Sequence, residues 1–195
     1  MSIGIDFPGY VKDLQDQGVP VDLATSMALA GYRANVHLFE SLASMIKAFG
    51  SFRHPCLLIA AAGNESKRDV NADYEIAVSP PAVAEGIVSV AALKNDQGGF
   101  SIAPFSNTGA IVSAPGVMIL SAKNGGGLAT MSGTSMATPH VAGVAALWAQ
   151  KLKNSPAFTY TQFMNSLISS ATTTGLKAGF DPSDVGSGLI RAPQV

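Results

Sequence analysis

Apolar residues recur at three- and four-residue steps between about Val21 and Phe49, and this spacing is typical of an amphipathic helix. Gly31 leaves open whether the stretch forms one helix or two. A second apolar pattern, over 141–148, predicts a buried helix that begins at or near Ser135. A third pattern, over 159–171, predicts a surface helix.

Continuous apolar runs separate these helical patterns. Cys56–Ala62 is such a run and is closed by Gly63-Asn64, and Ile87–Leu93 is another. Uninterrupted runs of this kind are typical of parallel strands that are buried on both faces. Because strands alternate with helices, the sequence predicts an α/β domain with a mainly parallel sheet. Functional residues in such sheets lie at the carboxyl ends of the strands, so Asn64 and Ser135 are expected to meet there.

Composition narrows the class of protein. The chain has 195 residues, enough for one domain, with 13% charged and 47% hydrophobic residues, which excludes a disordered chain. A net charge of −1 gives no reason to expect a nucleic acid or an anionic membrane as partner. The single cysteine, Cys56, excludes an internal disulfide framework and is expected to be buried.

No apolar segment reaches the roughly 18 residues that a membrane span requires. The first residues also lack the basic lead and apolar core of a secretion signal. The compartment therefore stays open.

Ser135 is the candidate nucleophile. A helix that begins at this point places partial positive charge and free backbone N–H groups beside the serine, where negative charge is stabilised. Such N–H groups can bind the oxyanion that develops in acyl transfer. The alternative is that Ser135 only caps the helix, a common use of serine at this position.

Asn64 is the candidate oxyanion donor. An amide side chain beyond a buried strand can donate a hydrogen bond to a substrate oxygen. The alternative is an ordinary turn residue after Gly63.

Residues 133–143, Gly-Thr-Ser-Met-Ala-Thr-Pro-His-Val-Ala-Gly, resemble the nucleophile segment of the subtilisin-like serine proteases, or subtilases. Residues 60–64 resemble the subtilase segment that supplies the oxyanion-hole asparagine. The resemblance implies a three-layer, subtilisin-like α/β domain and a serine endopeptidase that forms an acyl-enzyme on Ser135. Asn64 would donate to the oxyanion.

The resemblance also implies the residues that contact substrate. Ser2, Ile3 and Gly4 resemble the strand whose edge pairs with the substrate backbone, and this run, Met1–Ile5, is predicted to be a strand. Ala61, Ala62 and Gly63 would form the opposite wall of the pocket, with Thr134 beside the nucleophile. Ordinary sheet packing is the alternative for both walls.

The segment from Asp6 to about Pro55 departs from the family pattern, because it is longer than the single helix usual there. A lid, a partner surface and a packing layer are all open interpretations of this segment.

The general base is missing from the pattern. Subtilases carry an Asp-Ser/Thr-Gly motif and then a His-Gly-Thr motif before the nucleophile, and neither occurs here. Asp6 precedes Phe-Pro, His37 precedes Leu-Phe, and His54 precedes Pro-Cys. His140 lies five residues after Ser135 and is expected to be structural. The chain, residues 1–195, therefore resembles the C-terminal half of a subtilase catalytic domain without its N-terminal strands.

Three hypotheses follow. The chain is a piece of a serine endopeptidase, or one half of a split enzyme, or a non-catalytic module that binds extended peptides by strand addition. Alone it is expected to be inactive, because a serine hydroxyl needs an oriented base.

The expected partners are a polypeptide substrate and either the missing N-terminal half or a second copy pairing at the exposed sheet edge. No cofactor is certain; calcium is possible by resemblance, although no acidic ligand cluster stands out. The family is mostly secreted.

Overall fold

A computed structural model of the chain describes residues 4–50, 55–155 and 158–194. The helices are α1 (Phe7–Asp16), α2 (Val21–Gly50), α3 (Thr134–Leu152), α4 (Tyr160–Ser169) and α5 (Pro182–Val185). The strands are β1 (Leu58–Ala61), β2 (Ile87–Asp96), β3 (Gly99–Ile102), β4 (Val112–Pro115), β5 (Ile119–Ala122) and β6 (Leu128–Met131).

The central strand of the main sheet is β2. It pairs in parallel with β1 on one side and with β4 on the other. Its second half also pairs with β3, which returns antiparallel to it. Strands β5 and β6 form a separate antiparallel hairpin. Within the described residues, β1 has a neighbour on one side only, so its other edge is unpaired.

Helices cover both faces of this sheet. Alternate residues of a strand point to opposite faces, so Val88 and Val90 of β2 pack in one apolar cluster with α3 and α4. Ile87 packs on the other face, against Phe39 and Ala43 of α2. The result is a three-layer arrangement, and the predicted α/β class with a mainly parallel sheet is confirmed.

Helix α2 runs without a break through Gly31. The glycine instead allows a close contact with the N-terminal segment. A Cβ atom at Gly31 would lie 3.3 Å from Ile5 Cδ1 and 3.4 Å from a ring carbon of Tyr10. Helix α1, which the periodicity did not indicate, begins after Asp6, whose side chain accepts a hydrogen bond from Gly9 N.

The predicted strand at the N terminus lies partly outside the described residues. Gly4 and Ile5 are described and are not in a strand. Asp6 is the N-cap of α1 and has extended backbone angles itself, so the helix begins directly after it. Gly4 packs against the carbonyl group of Pro80, and Ile5 N donates to Asn35 Oδ1. The unpaired edge of the described sheet therefore belongs to β1.

Strand β2 extends beyond the apolar run that ends at Leu93, to Asp96, and begins the hairpin to β3. One further expectation from the sequence is wrong. Cys56 is exposed, because it precedes the first paired residue of β1. In the described parts of the chain, no helix is both long and apolar enough to cross a membrane.

Candidate active site

Ser135 is the second residue of α3 and is exposed. The N-cap residue of this helix is Gly133, which contributes no side-chain hydrogen bond. The alternative that Ser135 caps the helix is therefore wrong. Gly133 has a φ of 156°, a conformation that favours glycine, so the sharp entry into the helix depends on this residue. The hydroxyl of Ser135 bonds to none of the described residues and is free to react.

Pro139 lies inside α3, beyond its first turn. It has no N–H to donate to the carbonyl group of Ser135. The helix therefore loses one hydrogen bond beside the nucleophile. Thr138 adds a side-chain bond in the same turn, from its hydroxyl to the carbonyl oxygen of Thr134, at 2.8 Å.

Asn64 is held against the start of α3. Its Oδ1 accepts hydrogen bonds from Thr134 N at 2.8 Å and from Thr134 Oγ1 at 3.0 Å. A backbone N–H only donates, so the side-chain oxygen must face Thr134 and the Nδ2 group must face away. Gly63 N completes this contact by donating to Thr134 Oγ1 at 3.2 Å. Because Nδ2 bonds to no described residue, it can donate to a ligand.

The Nδ2 group of Asn64 and the backbone N–H of Ser135 are two candidate hydrogen-bond donors, and the segments that carry them meet at Thr134. Thr134 joins the turn after β1 directly to the helix that carries Ser135. The backbone N–H of Ser135 lies among the unpaired N–H groups of the first helical turn, where a negative charge is stabilised. Asn64 and Ser135 line the same cleft.

Asn107 is completely buried and bonds to the turn that carries Asn64. Its Oδ1 accepts from Glu65 N at 3.0 Å and from Ser66 N at 3.1 Å. Its Nδ2 donates to Glu65 Oε2 at 2.7 Å and to two backbone carbonyl oxygens, those of Ala62 and Ala77. The sequence pattern assigned Asn107 no role, because its contacts lie about 40 residues away along the chain.

A cleft of about 610 Å³ opens beside Ser135 and Asn64. Its walls come from the edge of β1, the turn after it, the Pro80 loop and the start of α3. The lining residues are Ile59, Ala60, Ala61, Asn64, Glu65, Ser79, Pro80, Pro81, Thr134, Ser135, Thr138 and Pro139. A second cavity, of about 460 Å³, lies between the β5–β6 hairpin and α3, and Ser135 lines it as well. Ser135 thus lies between the cleft and this second cavity.

The predicted substrate-contacting residues lie in different environments: some line a cavity and one is buried. Ala61 lines the cleft, whereas Ala62 is fully buried in the sheet. Thr134 borders the cleft, but its hydroxyl is engaged with Asn64 and Gly63. Gly4 lines a neighbouring cavity. Ser2 and Ile3 lie outside the described residues.

None of the described residues bonds to the Ser135 hydroxyl as a general base would, and the carboxylate that lines the cleft, Glu65, accepts hydrogen bonds from Asn64 N and Asn107 Nδ2. The one histidine lining either cavity is His140, and its Nδ1 donates to the carbonyl oxygen of Met136 at 2.9 Å, further along α3. His37 is exposed on α2, where it contacts Glu40. His54 lies outside the described residues. No group of three or more His, Cys, Asp or Glu that could hold a metal ion occurs among the described residues.

Comparisons with known proteins identify the family of this chain. The sequence model of the subtilase family matches residues 11–188. The chain belongs to the subtilase family. Within this family it is 41% identical, over 138 residues, to the thermostable alkaline protease of Halalkalibacterium halodurans. It is 38% identical, also over 138 residues, to the subtilisin-like serine protease Pen c 1 of Penicillium citrinum.

Each of these alignments covers 70% of this chain, but only 33% and 30% of the respective relative. Among solved structures, the S41 psychrophilic protease has a TM-score of 0.57 and 30% identity over 73% of this chain and 50% of that one. The self-cleaved protease domain of PatA has a TM-score of 0.57 and 28% identity, and it covers 78% of this chain and 51% of that one. The chain thus spans about half of the subtilase structures it resembles.

Proposed function

We propose that this chain carries the nucleophile and the oxyanion hole of a serine endopeptidase. The observation that supports the proposal is the pair formed by an exposed Ser135 and an Asn64 whose amide nitrogen is turned free by its bonds to Thr134. Ser135 Oγ would attack the carbonyl carbon of a peptide bond, the amine would leave with a proton, and water would release the acyl group.

Asn64 Nδ2 and the backbone N–H of Ser135 would stabilise the oxyanion of each tetrahedral intermediate. Removal of one such donor lowers kcat by about 10²- to 10³-fold. We therefore expect Asn64→Ala to cost this factor in the active form of the enzyme. Compared with Asn64→Ala, the variant Asn64→Ser would recover part of kcat only if the hydroxyl on its shorter side chain reaches the oxyanion.

The base and its orienting carboxylate would come from polypeptide outside the described site. Such a segment, in the same polypeptide or in a partner chain, would add a strand along the unpaired edge of β1, since Ile59, Ala60 and Ala61 line both that edge and the cleft. Strand addition satisfies backbone groups that are otherwise open. On this proposal the isolated chain is inactive until it is completed.

The same edge supports a second candidate function. A non-catalytic module could hold an extended peptide by adding it as a strand to β1. This role would need the open edge but neither the free Ser135 hydroxyl nor the oriented Asn64 amide. A peptide-binding module would therefore tolerate Ser135→Ala and Asn64→Ala with unchanged affinity and would never form an acyl-enzyme.

Fluorophosphonate labelling in the native cell separates the two functions. The chain would be tagged at its C terminus in the genome, and the lysate treated with the probe. A peptidase is expected to give a tagged, labelled species whose modified residue is Ser135 by mass, and Ser135→Ala is expected to abolish the label. A tagged chain that stays unlabelled in the native lysate would contradict the proposed activity.

A further inference from the structure

The turn between β5 and β6 carries the one Asn-Gly pair of the chain. Eight asparagines occur in the sequence, and Asn124 alone is followed by a glycine. The turn continues through Gly126 and Gly127, and residues 121–128 are all exposed. A Cβ atom added at Gly125, Gly126 or Gly127 would have no atom within 4 Å. Neighbouring groups therefore leave this part of the turn room to change its conformation.

Two backbone hydrogen bonds close the turn and leave out the nitrogen of Gly125. Gly126 N donates to the carbonyl oxygen of Lys123 at 3.0 Å, and Lys123 N donates to that of Gly127 at 3.0 Å. Gly125 N donates to none of the described residues, and the Asn124 side chain has no described partner either. Gly125 has a φ of 85°, which favours glycine, so no Cβ shields its nitrogen. This nitrogen can reach the side-chain amide carbon of Asn124 by rotations about the few bonds between them.

We propose that Asn124 is a modification site at which the folded chain converts its own side-chain amide to a carboxylate. The nitrogen of Gly125 bonds to Cγ of Asn124, and Nδ2 leaves as ammonia with the proton of the Gly125 N–H. Water then adds to one of the two carbonyl carbons of the five-membered imide. The ring opens and gives aspartate or isoaspartate with release of a proton. Water is the only co-reactant, and the reaction does not depend on the proposed peptidase function.

Two other asparagines show which conditions matter. Asn107 is fully buried, both ends of its amide are bonded, and it precedes Thr108, whose branched side chain crowds the attacking nitrogen. Asn71 is exposed, but its Oδ1 accepts a hydrogen bond from Asp73 N at 3.0 Å, and the next residue, Ala72, carries a Cβ atom. We therefore expect conversion at Asn124 long before conversion at either of these positions.

The product would change the cavity between the β5–β6 hairpin and α3. Asn124 and Ser135 both line this cavity, whose volume is about 460 Å³. Its ionisable lining side chains are those of Lys123 and His140, and no carboxylate is among the lining residues. Conversion would place a negative charge next to Lys123 and change the formal net charge of the chain from −1 to −2, because one carboxylate is added. The wall would then attract an anionic ligand less, an effect that salt would screen.

Incubation of the full chain tests the site by mass. The purified chain would be held at physiological temperature and mildly alkaline pH, once folded and once unfolded in urea, and then digested. We expect the peptide that contains Asn124 to gain about 1 Da, the difference between an amide and an acid, and to separate into two products of equal mass. Conversion in the folded chain should be at most about threefold slower than in urea, because opening an exposed turn costs little free energy.

Two variants and an internal control locate the reaction. Asn124→Gln keeps an amide but would need a six-membered ring, and it should abolish the mass gain at this position. Gly125→Ala places a Cβ atom beside the attacking nitrogen and should slow conversion severalfold in the urea-unfolded chain, where the φ of the folded turn has no influence. Asn71 should keep its mass over the same period.

Two results would overturn the inference. If Asn124 keeps its mass in the folded chain while the urea-unfolded chain is largely converted, the turn protects its amide. Equal mass gains at Asn124 and Asn71 would show that the Asn-Gly turn has no special reactivity. Neither result bears on the peptidase activity, which fluorophosphonate labelling tests separately.

Discussion

The two faces of the sheet differ in how completely they are covered. On the α3–α4 face, Val88, Val90, Val112, Val141 and Leu167 are all fully buried. On the α2 face, Ile87 and Ala91 of β2 belong to two small buried clusters whose other buried members are all alanines, and α2 itself leaves large apolar side chains exposed. Examples are Leu23, Leu38, Met45 and Phe49, which are 49–66% exposed.

The difference matters for the chemistry. The well-covered face carries α3, and with it Ser135, Thr134 and the contact to Asn64. The proposed nucleophile and oxyanion donors are therefore attached to the more fully buried part of the molecule. The poorly covered face adjoins the unpaired edge of β1, where we propose that the missing strands and the base belong.

Truncations in the two faces test the comparison most strongly. Leu167→Ala should lower the free energy of unfolding by about 3 to 5 kcal/mol, because it leaves a cavity in the closed core. Leu38→Ala on α2 should change it by less than about 0.5 kcal/mol, because the side chain is already exposed. Urea unfolding of both variants measures this. Equal losses would show that the α2 face is covered in solution.

Asn107→Ala tests the buried hydrogen bonds that hold the turn after β1. It would leave the N–H groups of Glu65 and Ser66 without acceptors, at about 1 to 3 kcal/mol for a buried unpaired group. We expect a loss of about 2 to 4 kcal/mol in urea unfolding. Asn71→Ala is the matched control, since the Asn71 side chain accepts one bond in an exposed loop. A loss of unfolding free energy no larger than that of the control would show that Asn107 does not stabilise the turn that carries Asn64.

Thr134→Val removes the hydroxyl that joins Asn64 and Gly63 to α3 while keeping the shape of the side chain. We expect a loss of about 1 to 2 kcal/mol. The exchange of the Asn64 side-chain amide hydrogens should also become faster in NMR. Thr138→Val is the control, because its hydroxyl bonds only to a helix carbonyl group. Unchanged Asn64 exchange in Thr134→Val would mean that Thr134 does not orient the amide.

The smallest effect lies at the end of β2, remote from both faces. Bonds from the Ser101 hydroxyl and from Lys94 lower the pKa of Asp96 to about 2. The folded-state pKa is below the usual 3.8, so this stabilisation is complete above that value and is lost as the pH falls towards 2. Thermal midpoints between pH 5 and pH 2 should fall more for the wild type than for Asp96→Asn. Parallel pH profiles would contradict this assignment.

The sequence was sufficient for the elements that have strong local signals. The apolar runs predicted β1 and β2, and the helical periods predicted α2, α3 and α4. The pattern around Ser135 placed this serine in the first turn of a helix, as observed in α3. These features depend on short-range patterns or on a long motif, so one sequence carries them.

Other features depend on contacts that are distant along the chain. The bond between Asn64 and Thr134 spans 70 residues, and the network of Asn107 spans 30 to 45. The close approach of Ile5 and Tyr10 to Gly31 of α2 joins residues about 20 or more positions apart. The neighbouring cavity that Gly4 lines likewise requires α1, α2 and the loop around Val78 to meet. Periodicity alone cannot indicate such encounters.

The central claim is that the nucleophile and oxyanion donors are assembled here without their base. Treatment of the purified, folded chain with a fluorophosphonate, beside Ser135→Ala, tests it most directly by intact mass. The account predicts no adduct on Ser135 in the isolated chain, although the native-cell form is labelled. A serine-dependent adduct on the isolated chain would show that a base within residues 1–195 reaches Ser135, and it would contradict the account.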